Sequence, residues 1–233
     1  MADYYFVEEE LELIKRIDFS KEVFEVLKRG IVEEVRNLKN VIPERFADHL
    51  LAYYPHEIEP LYENLPLHFE EPFSQKIIGI TIRGDVVENP EQFVRDLNSK
   101  VYAKGYQAFL TVSSSGSCTN DNISLIEGTD QTSLLDFIRL GSFSTAQMSE
   151  KQIKEKLTLL IMKYECEIIG VGNDWAKIYI PTLPKDISQF LTEVKEFAAD
   201  TFTNWGDETK DKAYEKVKNR LIEEGWIYLW WED

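Results

Sequence analysis

Cysteine, histidine, basic charge and long apolar runs are what this chain has least of, and each scarcity closes off a class of protein. Two cysteines, Cys118 and Cys166, in 233 residues are too few for a disulfide framework, so each is expected to be a buried thiol. Three histidines, His49, His56 and His68, all fall in the first third. His49 and His56 have the spacing of one helix face, but Pro55 intervenes and no second pair completes a zinc ligand set, so no metal is expected. No stretch approaches the ~18 apolar residues of a membrane span. The start, Met-Ala-Asp-Tyr-Tyr-Phe-Val before Glu8-Glu9-Glu10, has neither the basic nor the apolar region of a secretory leader. The expected location is the cytoplasm.

The shortage of basic charge is the largest imbalance. Forty-two acidic residues against 26 basic ones give a formal net charge of -16. A field of that sign repels phosphate backbones and anionic lipid heads, which argues against nucleic acid and membrane surfaces as partners. A basic protein or a cation is the expected counterpart, although the same acidity also serves solubility alone.

Motifs for chemistry are equally sparse. Gly170-Val-Gly172 follows a strand pattern, but the dinucleotide fingerprint needs a helix next, so that a positive helix end meets the pyrophosphate. A strand follows here, which makes these turn glycines. The run Ser113-Ser-Ser-Gly-Ser-Cys118 lacks the Gly-Lys-Ser/Thr of a P-loop and the Gly-x-Ser-x-Gly of a hydrolase elbow, and reads as a loop between strands. Nothing local brings Cys118 to a histidine as a thiol nucleophile pair. Carboxylates are so abundant that their proximity in sequence assigns no acid or base role. No cofactor is expected and no catalytic residue is assigned.

What is present is a well-patterned globular chain, 43% hydrophobic and 12% aromatic. Leu11 and Ile14, then Phe24, Leu27, Ile31, Val35 and Leu38, fall at helical spacing. Phe19 before Ser20, with Phe24 beyond, is placed as a hydrophobic staple, so one helix ends near Ile17 and the next begins at Ser20. Gly30 either breaks that second helix or lies on its exposed face. Pro43 suits the first turn of a third helix through Phe46, Leu50 and Leu51. Prolines 55, 60, 66 and 72 then interrupt regular structure. The expected organisation is a helical region at 1–54, a proline-rich connector at 55–75 and an α+β domain at 76–233.

In that domain Lys76–Arg83 reads as a strand, Asn89-Pro90 caps and opens a helix, Gly105 ends it, and Tyr106–Val112 and Asn122–Glu127 are further strands. A short helix runs from Gln131 to Leu140. Ser149-Glu-Lys-Gln152 has the spacing of a capping box, and Ile153, Leu157, Leu160, Ile161 and Tyr164 line the helix behind it. Cys166–Gly170 and Trp175–Ile180 form a hairpin across a tight turn. Asp186 caps a helix carrying Phe190, Leu191 and Val194, and Tyr214, Val217 and Leu221 mark the last helix, stopped by Gly225. Trp226–Trp231 brings three of five tryptophans to the end, and aromatic area on that scale belongs in a sheet. Mixed strands and helices without strict alternation predict an α+β fold, a mixed β-sheet packed with helices.

The candidate binding residues are Asp174, Trp175, Asp200, Trp230, Trp231 and Asp233. Gathered at one end of the sheet, they would make an amphipathic patch for a partner with apolar and basic groups. The bland reading makes the tryptophans core and the aspartates caps of turns and helices.

From about Lys104 to Asp233 the chain resembles the bacterial domain of unknown function 4253 family. The resemblance rests on Gly172-Asn-Asp174-Trp175, Leu183-Pro184-Lys185-Asp186, Phe197-Ala-Ala-Asp200 and the closing Trp230-Trp231-Glu232-Asp233, with Lys104-Gly105-Tyr106 and Asp130-Gln131 upstream. The family's Cys-Pro pair stands here as Ala198-Ala199, and its following Asp-Gln-Gly corresponds to Thr203-Asn204-Trp205. The resemblance implies a fold unit and no established reaction. Two functions follow as expectations: an acidic interaction module, such as an immunity-type protein docking a basic partner, or an enzyme or small-ligand binder with a Trp/Asp-lined pocket.

Overall fold

The computed structural model describes residues 7–38, 58–62, 76–84, 87–112, 121–140, 148–203 and 210–231. The chain forms two compact units, Met1–Thr129 and Asp130–Asp233. The expected helix after Pro43, the three histidines, the Ser113–Cys118 run and Asp233 lie outside the described residues.

The first unit opens with two helices, α1 (Glu8–Arg16) and α2 (Lys21–Leu38). Phe19 and Phe24 are both buried, as a staple requires, and the Ser20 N–H donates to the Tyr106 hydroxyl at 3.1 Å. Glu10 accepts the Val7 N–H at 3.0 Å at the start of α1 and takes Lys28 of α2 on both oxygens, at 2.8 and 3.0 Å. Both side chains are 2% exposed. This buried pair fixes α1 on α2. Gly30 does neither of the things its sequence context suggests: α2 runs through it, and a Cβ there would stand 3.0 Å from the Phe93 ring. Its smallness admits a neighbouring helix.

That neighbour is α3 (Pro90–Val101), with Asn89 as the N-cap accepting the Gln92 N–H at 3.0 Å and proline in the first turn. Such a cap is worth about 0.5 to 2 kcal/mol. Strands β1 (Ile58–Tyr62), β2 (Ile77–Arg83), β3 (Tyr106–Val112) and β4 (Asp121–Glu127) follow the order β1-β2-β4-β3. β1 pairs β2, β2 pairs β4 and β4 pairs β3, each antiparallel. β2 and β3 are thus parallel, joined through α3, with β4 inserted between them. Within the proline-interrupted stretch the chain does form β1, Pro60 included; among the described residues it pairs only with β2, and an edge strand tolerates a residue with no N–H to give. Asn98 on α3 is 2% exposed and clamps helix to sheet, donating to the Ala108 carbonyl at 3.0 Å and accepting its N–H at 2.6 Å. Across the sheet, buried Thr111, Ser124 and Thr81 link hydroxyl to hydroxyl at 2.8 and 2.9 Å, which satisfies three polar groups in an apolar core.

The second unit starts with a 3-10 helix, Gln131–Phe137, capped by Asp130, whose carboxylate accepts the Thr132 N–H at 2.9 Å. The Thr132 hydroxyl and N–H together hold the Asp130 carboxyl below its usual range. Helix α4 (Glu150–Tyr164) has the expected capping box between Ser149 and Gln152, and buries Ile153, Leu157, Leu160 and Ile161. Strands β5 (Glu167–Val171), β6 (Trp175–Tyr179) and β7 (Trp226–Trp230) make an antiparallel ribbon in that order. Between β6 and β7 come α5 (Ile187–Lys195), capped by Asp186, a 3-10 helix Ala199–Phe202, and α6 (Lys210–Glu224). The α+β class read from the sequence, with helices ahead of the first strands, is the class of the structure. No helix among the described residues is long and apolar enough to cross a membrane.

Candidate functional site

The β6–β7 pairing sets what the closing tryptophans can do. Trp175 stands opposite Trp230, Lys177 opposite Tyr228, and Tyr179 opposite Trp226. Side chains alternate along a strand, so these six share one face of the ribbon, while Ala176, Ile178, Ile227 and Leu229 share the other and are buried.

The first face is a ladder of rings and cations. Trp175 stacks on Tyr228 with centroids 5.6 Å apart. The Lys177 ammonium lies 5.9 Å from the Trp175 ring and 5.5 Å from that of Trp226, and the Arg220 guanidinium stands 5.0 Å from Trp226. Each such contact contributes about 0.5 to 2 kcal/mol, the upper end where water is excluded. Lys177 is among the buried residues, which places its contacts toward that end.

At the Trp230 end the turn 172–174 folds over the strand ends. The Asp174 carbonyl accepts the Trp231 N–H at 2.8 Å, and the Asp174 carboxylate accepts the Trp230 indole N–H at 3.2 Å. The Asn173 carbonyl takes the Arg139 N–H at 2.9 Å. Gly172 is there because a Cβ would overlap the Trp175 indole. The Trp230 N–H points away from β6 and donates to the buried Thr201 hydroxyl at 3.0 Å, covering a strand edge. Trp231 is 1% exposed, its indole N–H donating to the Phe197 carbonyl at 2.7 Å.

The five described candidate residues therefore separate. Asp174 and Trp230 meet in a half-exposed corner; Trp175, opposite Trp230, and Trp231, on the Phe197 carbonyl, are buried; Asp200 sits in the 3-10 helix that supplies Thr201. Sequence reasoning overlooked Lys177, Thr201, Arg220 and Tyr228. Lys177 was visible as the polar residue between Trp175 and Tyr179 on a period of two, whereas Thr201 and Arg220 reach β7 only through the fold. Ala198 is fully buried with its N–H on the Val194 carbonyl at 2.9 Å.

Cys166 lies buried at the start of β5, and burial pushes its thiol up to about 12. No group of three or more His, Cys, Asp or Glu among the described residues is placed to hold a metal. Beside β7 a cavity of about 100 Å³ is lined by Thr201 and by residues of α6 and β7; none of Asp174, Asp200 and Trp230 is on its wall.

Fold and site together define an α+β protein whose second unit ends in a three-stranded ribbon, its last strand held by a turn aspartate. Residues 122–232 match the family model described as Domain of unknown function (DUF4253). The match begins within β4 and takes in every strand and helix of the second unit. Neither the curated proteins nor the solved structures include a match to the chain.

Proposed function

We propose that the chain is an acidic interaction module that engages a basic protein through the Asp174–Trp230 corner. The observation that carries this reading is the carboxylate fixed by an indole N–H, both groups half-exposed, on a chain of net charge -16. A carboxylate beside a ring offers a lysine or arginine both a charge-assisted hydrogen bond and a cation–π face. The indole contact holds the carboxylate in one orientation before a partner arrives, which lowers the entropy lost on docking. Trp175 and Trp231 serve by position, supporting the turn and the strand end from below. The surrounding negative field speeds encounter with a basic target.

Titration of the full chain with an arginine-rich peptide at low ionic strength tests this. Asp174→Asn and Trp230→Ala should each weaken binding about tenfold or more, whereas Glu223→Gln, an exposed charge on α6, should change it less than twofold. Equal losses from Asp174→Asn and Glu223→Gln would mean bulk charge alone is at work.

A further inference from the structure

The cavity beside β7 has two unlike sides. Ala213 and Val217 lie one turn apart on α6, as do Lys216 and Arg220, so the helix offers the cavity an apolar row and a cationic row. Ala213 and Ile227 are buried and make the floor with Val217 and Tyr228, while Lys216 and Arg220 are exposed at the rim. Among the described residues lining it none carries a carboxylate, in a chain where acids outnumber bases 42 to 26. Arg220 is held in place over the Trp226 ring at 5.0 Å. Thr201, 4% exposed, accepts the Trp230 N–H and keeps its own hydroxyl proton as a donor. By alternation along β7 the Tyr228 N–H points to the same side as that of Trp230.

We infer that this cavity is a binding site for a small aliphatic monocarboxylate, with the alkyl group on the Ala213–Val217–Ile227 floor and the carboxylate at Arg220. Size limits the ligand. An apolar cavity of about 150 Å³ holds benzene, so about 100 Å³ holds about four non-hydrogen atoms, the body of propionate or butyrate. Charge sets the head group: the Arg220 guanidinium stands at a mouth whose described lining residues include no carboxylate, which favours an anion. The arginine fork suits the two oxygens of a carboxylate better than a halide. An apolar floor under a cationic rim also rejects an uncharged amide of the same shape, because the amide leaves the guanidinium without its anion.

The test is a titration of the full chain with sodium acetate, propionate, butyrate and butyramide, followed by amide and indole NMR signals at constant low ionic strength. Saturable shifts at Thr201, Val217 and Tyr228 are expected for the acids, with affinity rising about fourfold per added methylene and no saturation with butyramide. Arg220→Gln should weaken butyrate about tenfold or more and Val217→Phe, which fills the cavity, should abolish the shifts; an unchanged Trp231 indole signal shows that each variant is folded. Asp174→Asn should leave butyrate binding as in the parent, which separates this site from the corner that meets a basic partner. Shifts that follow butyramide or chloride equally, or that survive Val217→Phe, would overturn the assignment.

Discussion

Trp231→Ala, just past the last strand, should cost the second unit more than any single truncation within that strand, and the size of the loss follows from three contacts. The ring is 1% exposed and stacks on Phe197 with centroids 6.3 Å apart. Truncating a buried tryptophan costs about 3 to 5 kcal/mol through lost burial and the cavity left behind. The indole N–H also satisfies the Phe197 carbonyl at 2.7 Å, and an acceptor left buried without a donor adds about 1 to 3 kcal/mol. Trp231→Phe separates the two: it keeps most of the apolar area but not the donor, and should cost about 1.5 to 3 kcal/mol. The backbone N–H on the Asp174 carbonyl survives both substitutions. The assay is urea unfolding followed by far-ultraviolet circular dichroism and by amide exchange at β6 and β7, because two compact units need not unfold together. A loss below about 1 kcal/mol for Trp231→Ala would refute the view that the closing aromatics anchor the ribbon.

Other consequences are as direct. Glu10→Ala removes the carboxylate that Lys28 meets in the core of the first unit and should cost about 3 to 5 kcal/mol, while Glu10→Leu with Lys28→Met should restore most of it; matched losses in single and double variants would contradict a buried pair. Cys166, its thiol pushed up to about 12 from 9.0, holds about a thousandfold less thiolate than a free cysteine at pH 8. In a Cys118→Ser background it should resist iodoacetamide until the chain is unfolded, and alkylation at the rate of a free thiol would disprove its burial. Glu34 has its carboxyl raised, first by burial and then by the negative charges of Glu33, Glu88 and Asp96. The protonated form is therefore favoured in the fold: the contribution is present below the unfolded value near 4.5 and lost as pH rises through the folded one. Glu34→Gln should then raise stability at pH 7 by a fraction of a kcal/mol, because the group is part-solvated, with the gain vanishing near pH 4. A gain that grows on acidification would reverse the sign.

Local signals carried far because the elements that obey them are local. Asn89-Pro90, Ser149 with Gln152, Asp186 and Gly105 each satisfy or end a helix through groups within four residues, and every one stands where the spacing puts it. Pro60 misled because proline forbids a central strand and not an edge one, and strand position is a property of the sheet. Gly30 misled for the same kind of reason: its neighbour, Phe93, is 63 residues away.

The candidate corner was half legible. Asp174 beside Trp175 and the doubled Trp230-Trp231 announced aromatic and acidic material at the ribbon's end. Which ring would face solvent depended on the β6–β7 register, which sends Trp230 to the ladder face and leaves Trp231 beyond it, bonded to Phe197. Arg220 over Trp226 and Thr201 under Trp230 involve partners that no local pattern pairs.

By itself, then, the amino-acid order set the net charge, the helix ends and the hairpin, since each depends on composition or on contacts a few positions long. Tertiary structure alone decided which tryptophans are core and which are surface, where two cations of α6 come to rest, and that an aspartate in a turn fastens the last strand. Those outcomes rest on contacts tens of residues apart, and pairing of that range is fixed only when the whole sheet closes.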